Sequence, residues 1–176
     1  MNINNINVFR GEATTRLGNL LSSGLTLLVL LRHSGCPVCR EHLVVTEGIL
    51  GDIRAAGCEV VGVCQNDGRD AVLMEQELDL HFPVYGEPSL NLYRLLEMPR
   101  GNWWQVTLGP ILRQPVRALQ RMRDVRKPGK DVRQLGGVVL LSSAGEVLFR
   151  YSQRDSGDLP GDDEVLAAIA QHASAE

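Results

Sequence analysis

The clearest hydrophobic pattern in the chain is a continuous apolar run from Leu25 to Leu31. A run of this length without polar alternation is typical of a strand covered on both faces, as in a parallel sheet. Ser34 and Gly35 interrupt the run, and residues 37–56 then carry apolar side chains at helical spacing. The pattern predicts a buried strand that turns directly into a helix.

Strands and helices are predicted to alternate along the next part of the chain. The predicted elements are strands at 59–64 and 82–85 and helices at 69–79 and 89–97. This alternation indicates βαβ units and a parallel core. The polar residues 65–68 are predicted to form a turn, and upstream, residues 13–22 are predicted as a short helix that Gly18 weakens.

The C-terminal part has a different pattern. Residues 138–141 and 146–151 are predicted to form an antiparallel hairpin, and a last helix is predicted to begin near Asp162. The order of elements indicates an α/β fold of the thioredoxin-like type. Its mixed central sheet has flanking helices and a helical insert before the C-terminal β-hairpin. We expect one such domain over residues 1–176.

The predicted insert, about residues 99–134, is basic. It carries nine of the chain's eighteen Lys and Arg residues and only two acids. Within a predicted helix over 111–123, Arg113, Arg117 and Arg121 recur every fourth residue and therefore share one face. That face either docks an anionic substrate or membrane surface, or is a solvated face with snorkelling arginines, which we favour.

Composition and charge mainly exclude classes of function and partner. The net charge of −3 gives no overall attraction to nucleic acid, so we expect no nucleic-acid partner. The N-terminus lacks the pattern of a signal peptide, and the longest apolar run is too short to span a bilayer, so we expect no membrane contact. Four cysteines are too few for a disulfide scaffold, which favours a reducing, cytoplasmic setting.

The candidate chemistry lies in Cys36-Pro37-Val38-Cys39, at the predicted strand-to-helix turn. If Cys36 is the N-cap, Pro37 takes the first helical position, where its missing N–H costs nothing. Free backbone N–H groups and the helix dipole then favour the Cys36 thiolate, and Arg32 and His33 can add positive potential. We therefore predict Cys36 to be the accessible nucleophile and the inward-facing Cys39 to be the resolving thiol.

A zinc site is the main alternative for this pair. Cys-Pro-x-Cys also begins zinc knuckles, and Cys58 and Cys64 could supply two more thiolates. The helix that continues after Cys39 favours the redox interpretation, so we expect no metal. Cys64 is either a second resolving thiol or, as we favour, a buried small side chain.

Three further residues are candidates for binding or tuning. His33 either tunes the site or is a solvated loop histidine. Trp103 and Trp104 either wall a substrate pocket near the cysteines or anchor the insert. No dinucleotide-binding, phosphate-binding or metalloprotease motif is present, so we expect no cofactor.

Several stretches together resemble the peroxiredoxin-like (AhpC/TSA type 2) branch of the thioredoxin superfamily, which includes proteins similar to prostamide/prostaglandin F synthase. They are residues 32–41, 82–85 with Leu92-Tyr93, the Trp103-Trp104 insert, and 135–138 with 145–151. The resemblance covers roughly residues 15–172. His33 stands where ordinary peroxiredoxins have a threonine, three residues before the reactive cysteine.

The resemblance implies a thiol-dependent oxidoreductase that reduces a peroxide, an endoperoxide or a related small oxidant. A thioredoxin-like protein or a low-molecular-weight thiol would return the Cys36–Cys39 disulfide to the dithiol. Two alternatives stay open. One is a protein dithiol–disulfide oxidoreductase, and the other is a non-catalytic docking module.

Overall fold

A mixed sheet forms the centre of the structure, a computed structural model that describes residues 2–21, 23–106 and 131–173. Its strands are β1 (Asn7–Arg10), β2 (Ala13–Arg16), β3 (Leu25–Leu31), β4 (Cys58–Cys64), β5 (Val84–Gly86), β6 (Gly137–Leu141) and β7 (Val147–Ser152). They lie in the order β2-β1-β5-β4-β3-β6-β7. Strands β3, β4 and β5 run parallel, and the other neighbours are antiparallel. The predicted α/β class with a mixed sheet is confirmed.

Helices follow the strands in the predicted order. The α-helices are α1 (Pro37–Gly48), α2 (Leu50–Ala55), α3 (Gly68–Glu77), α4 (Asn91–Leu95) and α5 (Asp162–Ala173), and residues 103–106 are also helical. The helix predicted over 37–56 divides at Ile49, between two glycines that lower helix propensity. Asp67 begins α3 because its side chain accepts the backbone N–H groups of Arg69 and Asp70.

Strand β3 lies near the sheet centre and is fully buried. All of its residues are buried, and successive side chains enter two separate apolar clusters on opposite faces of the sheet. Leu27 and Val29 belong to one cluster, and Leu28 and Leu30 belong to the other. The prediction that this strand is covered on both faces is confirmed.

The helix predicted over residues 13–22 is wrong. Ala13–Arg16 form β2, which pairs with β1, and only Leu17–Leu20 make a 3-10 helix. Gly11, with a φ of 60°, supplies the turn that joins the two strands. The β-branched Thr14 and Thr15 favour extended backbone, and the hairpin partner outweighs the weak helical pattern.

The C-terminal hairpin packs against the central strand, since β6 pairs with β3 and β7 pairs with β6. Just before β6, the backbone of Gly136 approaches the end of β3 so closely that a Cβ there would collide with the Leu30 carbonyl oxygen. This contact brings the residues that precede β6 to the edge where β3 and β4 end. The predicted hairpin and last helix are both confirmed.

The helix predicted over 111–123 and its arginine face lie outside the described residues. In the described ranges, no helix is both long and apolar enough to cross a membrane.

Candidate active site

The cysteine pair lies at the sheet edge where the parallel strands β3 and β4 end. Leu31 and Cys64 are partners at this edge, and residues 32–36 connect it to α1. The Cys36 N–H donates to the His33 carbonyl at 3.1 Å, which closes a tight turn. Cys36 is the N-cap of α1 with extended backbone, and Pro37 begins the helix. The predicted local geometry is confirmed.

Both thiols are buried. The exposed fraction is 3 % for Cys36 and 2 % for Cys39, and both belong to the same apolar cluster beside β3. The prediction that Cys36 is accessible at the helix mouth is therefore wrong, because this cluster encloses the start of α1 as well as its interior. Exposure does not distinguish the two thiols, but their hydrogen bonds and charged neighbours do.

The site stabilises Cys36 as a thiolate. A hydrogen bond from the Cys39 thiol lowers the pKa of Cys36 to about 6, although burial opposes this shift. The Arg32 guanidinium and the backbone N–H groups of Cys39 and Val38 also lower the pKa. Those N–H groups have no acceptor within the helix because they belong to its first turn. Cys36 is therefore mostly ionised at neutral pH.

Cys39 is held in the opposite state. Burial raises the pKa of Cys39 well above its ordinary value, and the hydrogen bond to Cys36 raises it further. The Arg32 backbone N–H lies 3.3 Å from the Cys39 Sγ. The pair thus consists of a thiolate and a protonated thiol in hydrogen-bond contact, which can act as nucleophile and resolving thiol.

Arg32 is the cation of the site, as its position at the strand exit predicts. Its side chain is buried, and its Nη1 lies 3.7 Å from the Cys36 Sγ. Its Nη2 donates to the Val132 carbonyl at 2.6 Å, and its Nε donates to the Gln134 carbonyl at 3.3 Å. These contacts aim the guanidinium at the thiolate.

His33 does not add positive charge to the site. Burial, and secondarily the neighbouring Arg32, lowers the pKa of His33 to about 4, so the imidazole is neutral at pH 7. The histidine is buried rather than solvated, and its Nδ1 has no hydrogen-bond partner in the described part of the chain. The expectation of positive potential from His33 is wrong because desolvation and the neighbouring Arg32 charge both disfavour the protonated imidazole.

Gln65 and Asn66 belong to the site, but the sequence analysis does not predict this and assigns them only to a turn. The Asn66 Oδ1 accepts the Ser34 N–H at 2.8 Å. The Gln65 side chain donates to the Arg32 carbonyl and, at 2.8 Å, to the Asp131 carbonyl. Their position directly after β4 is the signal that identifies them, because parallel neighbours end at one edge.

Trp103 and Trp104 lie in the helical residues 103–106 and are largely exposed, at 63 % and 59 %. Neither lines the cavity of about 140 Å³ beside the cysteine loop. Ser34 and Gly35, the two residues before Cys36, line that cavity. Its other walls are the side chains of Arg40, Asp70, Leu73, Met74 and Glu77.

Cys58 and Cys64 are both buried, and burial raises the pKa of each to about 12. They lie at opposite ends of β4, about 20 Å apart for a strand of this length, so the four thiols cannot share one metal ion. In the ranges that the structure describes, no cluster of His, Cys, Asp and Glu side chains is arranged to hold a metal.

Known proteins are similar to this chain in sequence or in fold. Prostamide/prostaglandin F synthase of Bos taurus is 28 % identical over 167 residues, which cover 90 % of this chain and 80 % of the relative. The bacterioferritin comigratory protein of Xanthomonas campestris, studied for its alkyl peroxide reduction activity, superposes with a TM-score of 0.68 at 16 % identity. That match covers 97 % of this chain and 94 % of the other.

A PrxQ variant of Xylella fastidiosa superposes with a TM-score of 0.69 at 12 % identity, covering 97 % of this chain and 91 % of the other. At these identities, the solved structures establish the shared fold and confirm the thioredoxin-like assignment. The profile of the family described as AhpC/TSA antioxidant enzyme matches residues 48–155, a range that begins after the cysteine pair. Because that match spans more than half of the residues of this chain, the chain belongs to the AhpC/TSA antioxidant enzyme family.

Proposed function

We propose that this protein is a thiol peroxidase in which Cys36 reduces a small hydroperoxide and Cys39 resolves the oxidised thiol. The observation that carries the proposal is the contact between an ionised Cys36 and a protonated Cys39, with Arg32 beside the thiolate. A lowered pKa makes a cysteine nucleophilic at neutral pH, and a neighbouring thiol can then trap its oxidised form.

In the first step, the Cys36 thiolate attacks the terminal oxygen of the hydroperoxide. An S–O bond forms while the O–O bond breaks, so Cys36 becomes a sulfenic acid and the organic oxygen leaves as an alkoxide that takes a proton from water. Negative charge moves from sulfur to the leaving oxygen. The buried guanidinium of Arg32, held 3.7 Å from the Cys36 Sγ, stabilises that charge in a site of low dielectric.

In the second step, the Cys39 thiol condenses with the sulfenic acid. A Cys36–Cys39 disulfide forms, and the sulfenic hydroxyl leaves with the Cys39 proton as water. Cys39 already shares a hydrogen bond with Cys36, so the resolving sulfur starts beside its target.

In the third step, a thioredoxin-like protein or a low-molecular-weight thiol reduces the disulfide by thiol–disulfide exchange and is itself oxidised. A reducing cytoplasm, in which such donors are maintained, is the compartment that suits this cycle.

The burial of Cys36 favours a small oxidant over a protein disulfide. Only 3 % of Cys36 is exposed, so a folded protein can reach the sulfur only after the loop opens locally, a requirement that a thioredoxin-like donor in the third step would share, whereas a small oxidant needs a smaller opening. A cavity of about 140 Å³ lies beside Ser34 and Gly35, next to the cysteine loop, although Cys36 itself is not among its lining residues. Hydrogen peroxide and short organic hydroperoxides fit that volume.

The direct test mixes fully reduced protein with one equivalent of hydrogen peroxide or tert-butyl hydroperoxide and quenches the reaction by alkylation. Mass spectrometry should show loss of two hydrogens, located in the peptide of residues 33–40 that carries both Cys36 and Cys39. The Cys36→Ser variant should not react, and the Cys39→Ser variant should accumulate a sulfenic acid that dimedone traps.

Cys58→Ser is the matched control, since it removes a buried cysteine at the far end of β4 and should leave the reaction intact. Failure of every peroxide to form the 36–39 disulfide would exclude peroxidase activity. If Cys39→Ser instead captured protein partners as mixed disulfides at Cys36, the protein would be a dithiol–disulfide oxidoreductase.

A further inference from the structure

The charge of Arg32 is positioned by backbone rather than by a carboxylate. Arg32 is 7 % exposed, and none of the ion pairs among the described residues includes it. Its fixed acceptors are the carbonyl oxygens of Val132 and Gln134, at 2.6 and 3.3 Å. The position of the guanidinium therefore depends on where the backbone of residues 131–134 lies.

Gln65 fastens that backbone to the ends of the central strands. Its Nε2 donates to the carbonyl oxygens of Arg32 and Asp131, the latter at 2.8 Å, and its Oε1 accepts the Asp131 N–H at 2.8 Å. Both amide hydrogens and the amide oxygen are thus used, in a side chain that is 1 % exposed. Since Nε2 meets two carbonyls and Oε1 meets an N–H, the amide fits in this orientation only.

We propose that Gln65 is a positioning residue, which holds the Arg32 guanidinium against Cys36 by tying residues 131–134 to the end of β4. The role rests on the proposed function, because a fixed cation matters only if Cys36 acts as a thiolate. Gln65 touches neither sulfur; it acts through Arg32.

A second set of contacts keeps residues 131–134 in place when Gln65 is lost. The Gly101 N–H donates to the Arg133 carbonyl at 2.8 Å, and Arg100 pairs with the Asp131 carboxylate at 2.7 Å. The Gln134 side chain donates to the Met98 and Pro99 carbonyls. Removing Gln65 should therefore loosen this segment at the end that faces β4, without detaching it.

The test measures the pH dependence of Cys36 alkylation by iodoacetamide in the full chain, with Gln65→Met and the shorter Gln65→Asn. We expect the midpoint of the alkylation profile to rise by about half a pH unit in Gln65→Met, a roughly threefold loss of thiolate preference. Gln65→Asn, which keeps an amide but cannot span the same acceptors, should shift it in the same direction.

Gln153→Met is the matched control. Gln153 is also a buried glutamine, at 2 % exposure, and it accepts the Gly136 N–H at 2.9 Å without contacting Arg32. Its substitution should leave the midpoint unchanged. In an Arg32→Met background, Gln65→Met should add no further shift, because the cation that it positions is gone.

The proposal is overturned by an unchanged midpoint in both folded Gln65 variants, or by a shift that persists undiminished in the Arg32→Met background. Loss of folding in both variants, with Gln153→Met still folded, would assign Gln65 to stability instead and would also overturn it. Alkylation needs no peroxide, so a failure of the peroxidase assay leaves this result readable and separates the two proposals.

Discussion

Cys36 and Cys64 are buried at the same edge of the sheet, yet their thiols are in opposite states. Cys64 ends β4 opposite Leu31, and burial raises its pKa to about 12. Cys36 is the N-cap of α1 within the same apolar cluster, and its pKa is lowered to about 6. Burial is common to both, so burial does not decide which thiol reacts.

The groups that face each sulfur account for the difference. Cys64 receives weak help from the Asn66 N–H, and the carboxylates of Asp67 and Asp70 disfavour its thiolate. Cys36 faces a thiol donor, two backbone N–H groups of a helix start and a guanidinium. In a site of low dielectric, such donors and charges act strongly because water does not screen them.

The largest expected effect comes from removing one thiol or the other. Cys36→Ser should lower the rate of peroxide reduction by a factor of roughly a thousand or more, because the nucleophile is lost. Cys64→Ala should leave that rate within about twofold, since we expect Cys64 only to pack. Peroxide consumption under single-turnover conditions measures both variants. A comparable loss of rate in Cys64→Ala would show that the Cys64 thiol also takes part in peroxide reduction.

The second effect is on stability, where the two thiols act with opposite sign. The pKa of Cys36 falls from 9.0 in the unfolded chain to about 6 in the fold, so its contribution is complete above pH 9 and is lost as pH falls toward 6. Between pH 7 and 9, the Cys36 contribution to the free energy of unfolding should therefore rise by about 2 kcal/mol. The raised pKa values of Cys39, Cys58 and Cys64 offset about half of this, so the net rise should be about 1 kcal/mol. Above pH 9 the free energy of unfolding should fall, because the folded state holds the Cys58 and Cys64 protons up to about pH 12.

Urea unfolding at a series of pH values, under reducing conditions, checks this prediction. Cys36→Ser should flatten the rise between pH 7 and 9, and Cys64→Ala should reduce the fall above pH 9. The buried His33 and His42 contribute little in this range, because the pKa of each is about 4 in the fold and 6.5 in the unfolded chain, both below pH 7. A rise that survives in Cys36→Ser would have another source.

The sequence predicts the frame of this site well. The apolar run 25–31 identifies a strand buried on both faces, and Cys36 before Pro37 identifies a helix start beside it. These features are local, so residue type and spacing are enough to predict them. The cationic role of Arg32 follows in the same way from its place at the strand exit.

Features that depend on distant segments are not predicted. The acceptors of Arg32 are backbone carbonyls of Val132 and Gln134, which lie a hundred or more residues away and are not marked by residue type. The burial of Cys36 and the loss of charge on His33 both arise from desolvation in the folded chain. A local sequence pattern shows which residues are polar, but it does not show the desolvation that tertiary structure imposes on them.

The third prediction distinguishes two roles of the Arg32 charge. One role is to lower the pKa of Cys36, and the other is to stabilise the leaving oxygen of the peroxide. Arg32→Met should raise the midpoint of Cys36 alkylation by about one pH unit, because the guanidinium is lost. At pH 7, alkylation should change by less than about threefold, since a thiolate of higher pKa is also more nucleophilic. Peroxide reduction should fall by about tenfold, because the leaving oxygen also loses its cation. Equal losses in the two assays would show that Arg32 acts on the thiolate alone.

The smallest effect is expected at His33, although it lies one residue nearer to Cys36 in the sequence than Arg32 does. His33→Gln should move the alkylation midpoint by less than about 0.3 pH units, because a neutral side chain replaces an imidazole whose pKa is already about 4. Arg32→Met, measured beside it, supplies the contrast between a charged and an uncharged neighbour. A midpoint raised as much in His33→Gln as in Arg32→Met would mean that the imidazole is protonated next to the thiolate. The electrostatic difference between Cys36 and Cys64 would then be caused by two cations, Arg32 and a protonated His33, rather than by Arg32 alone.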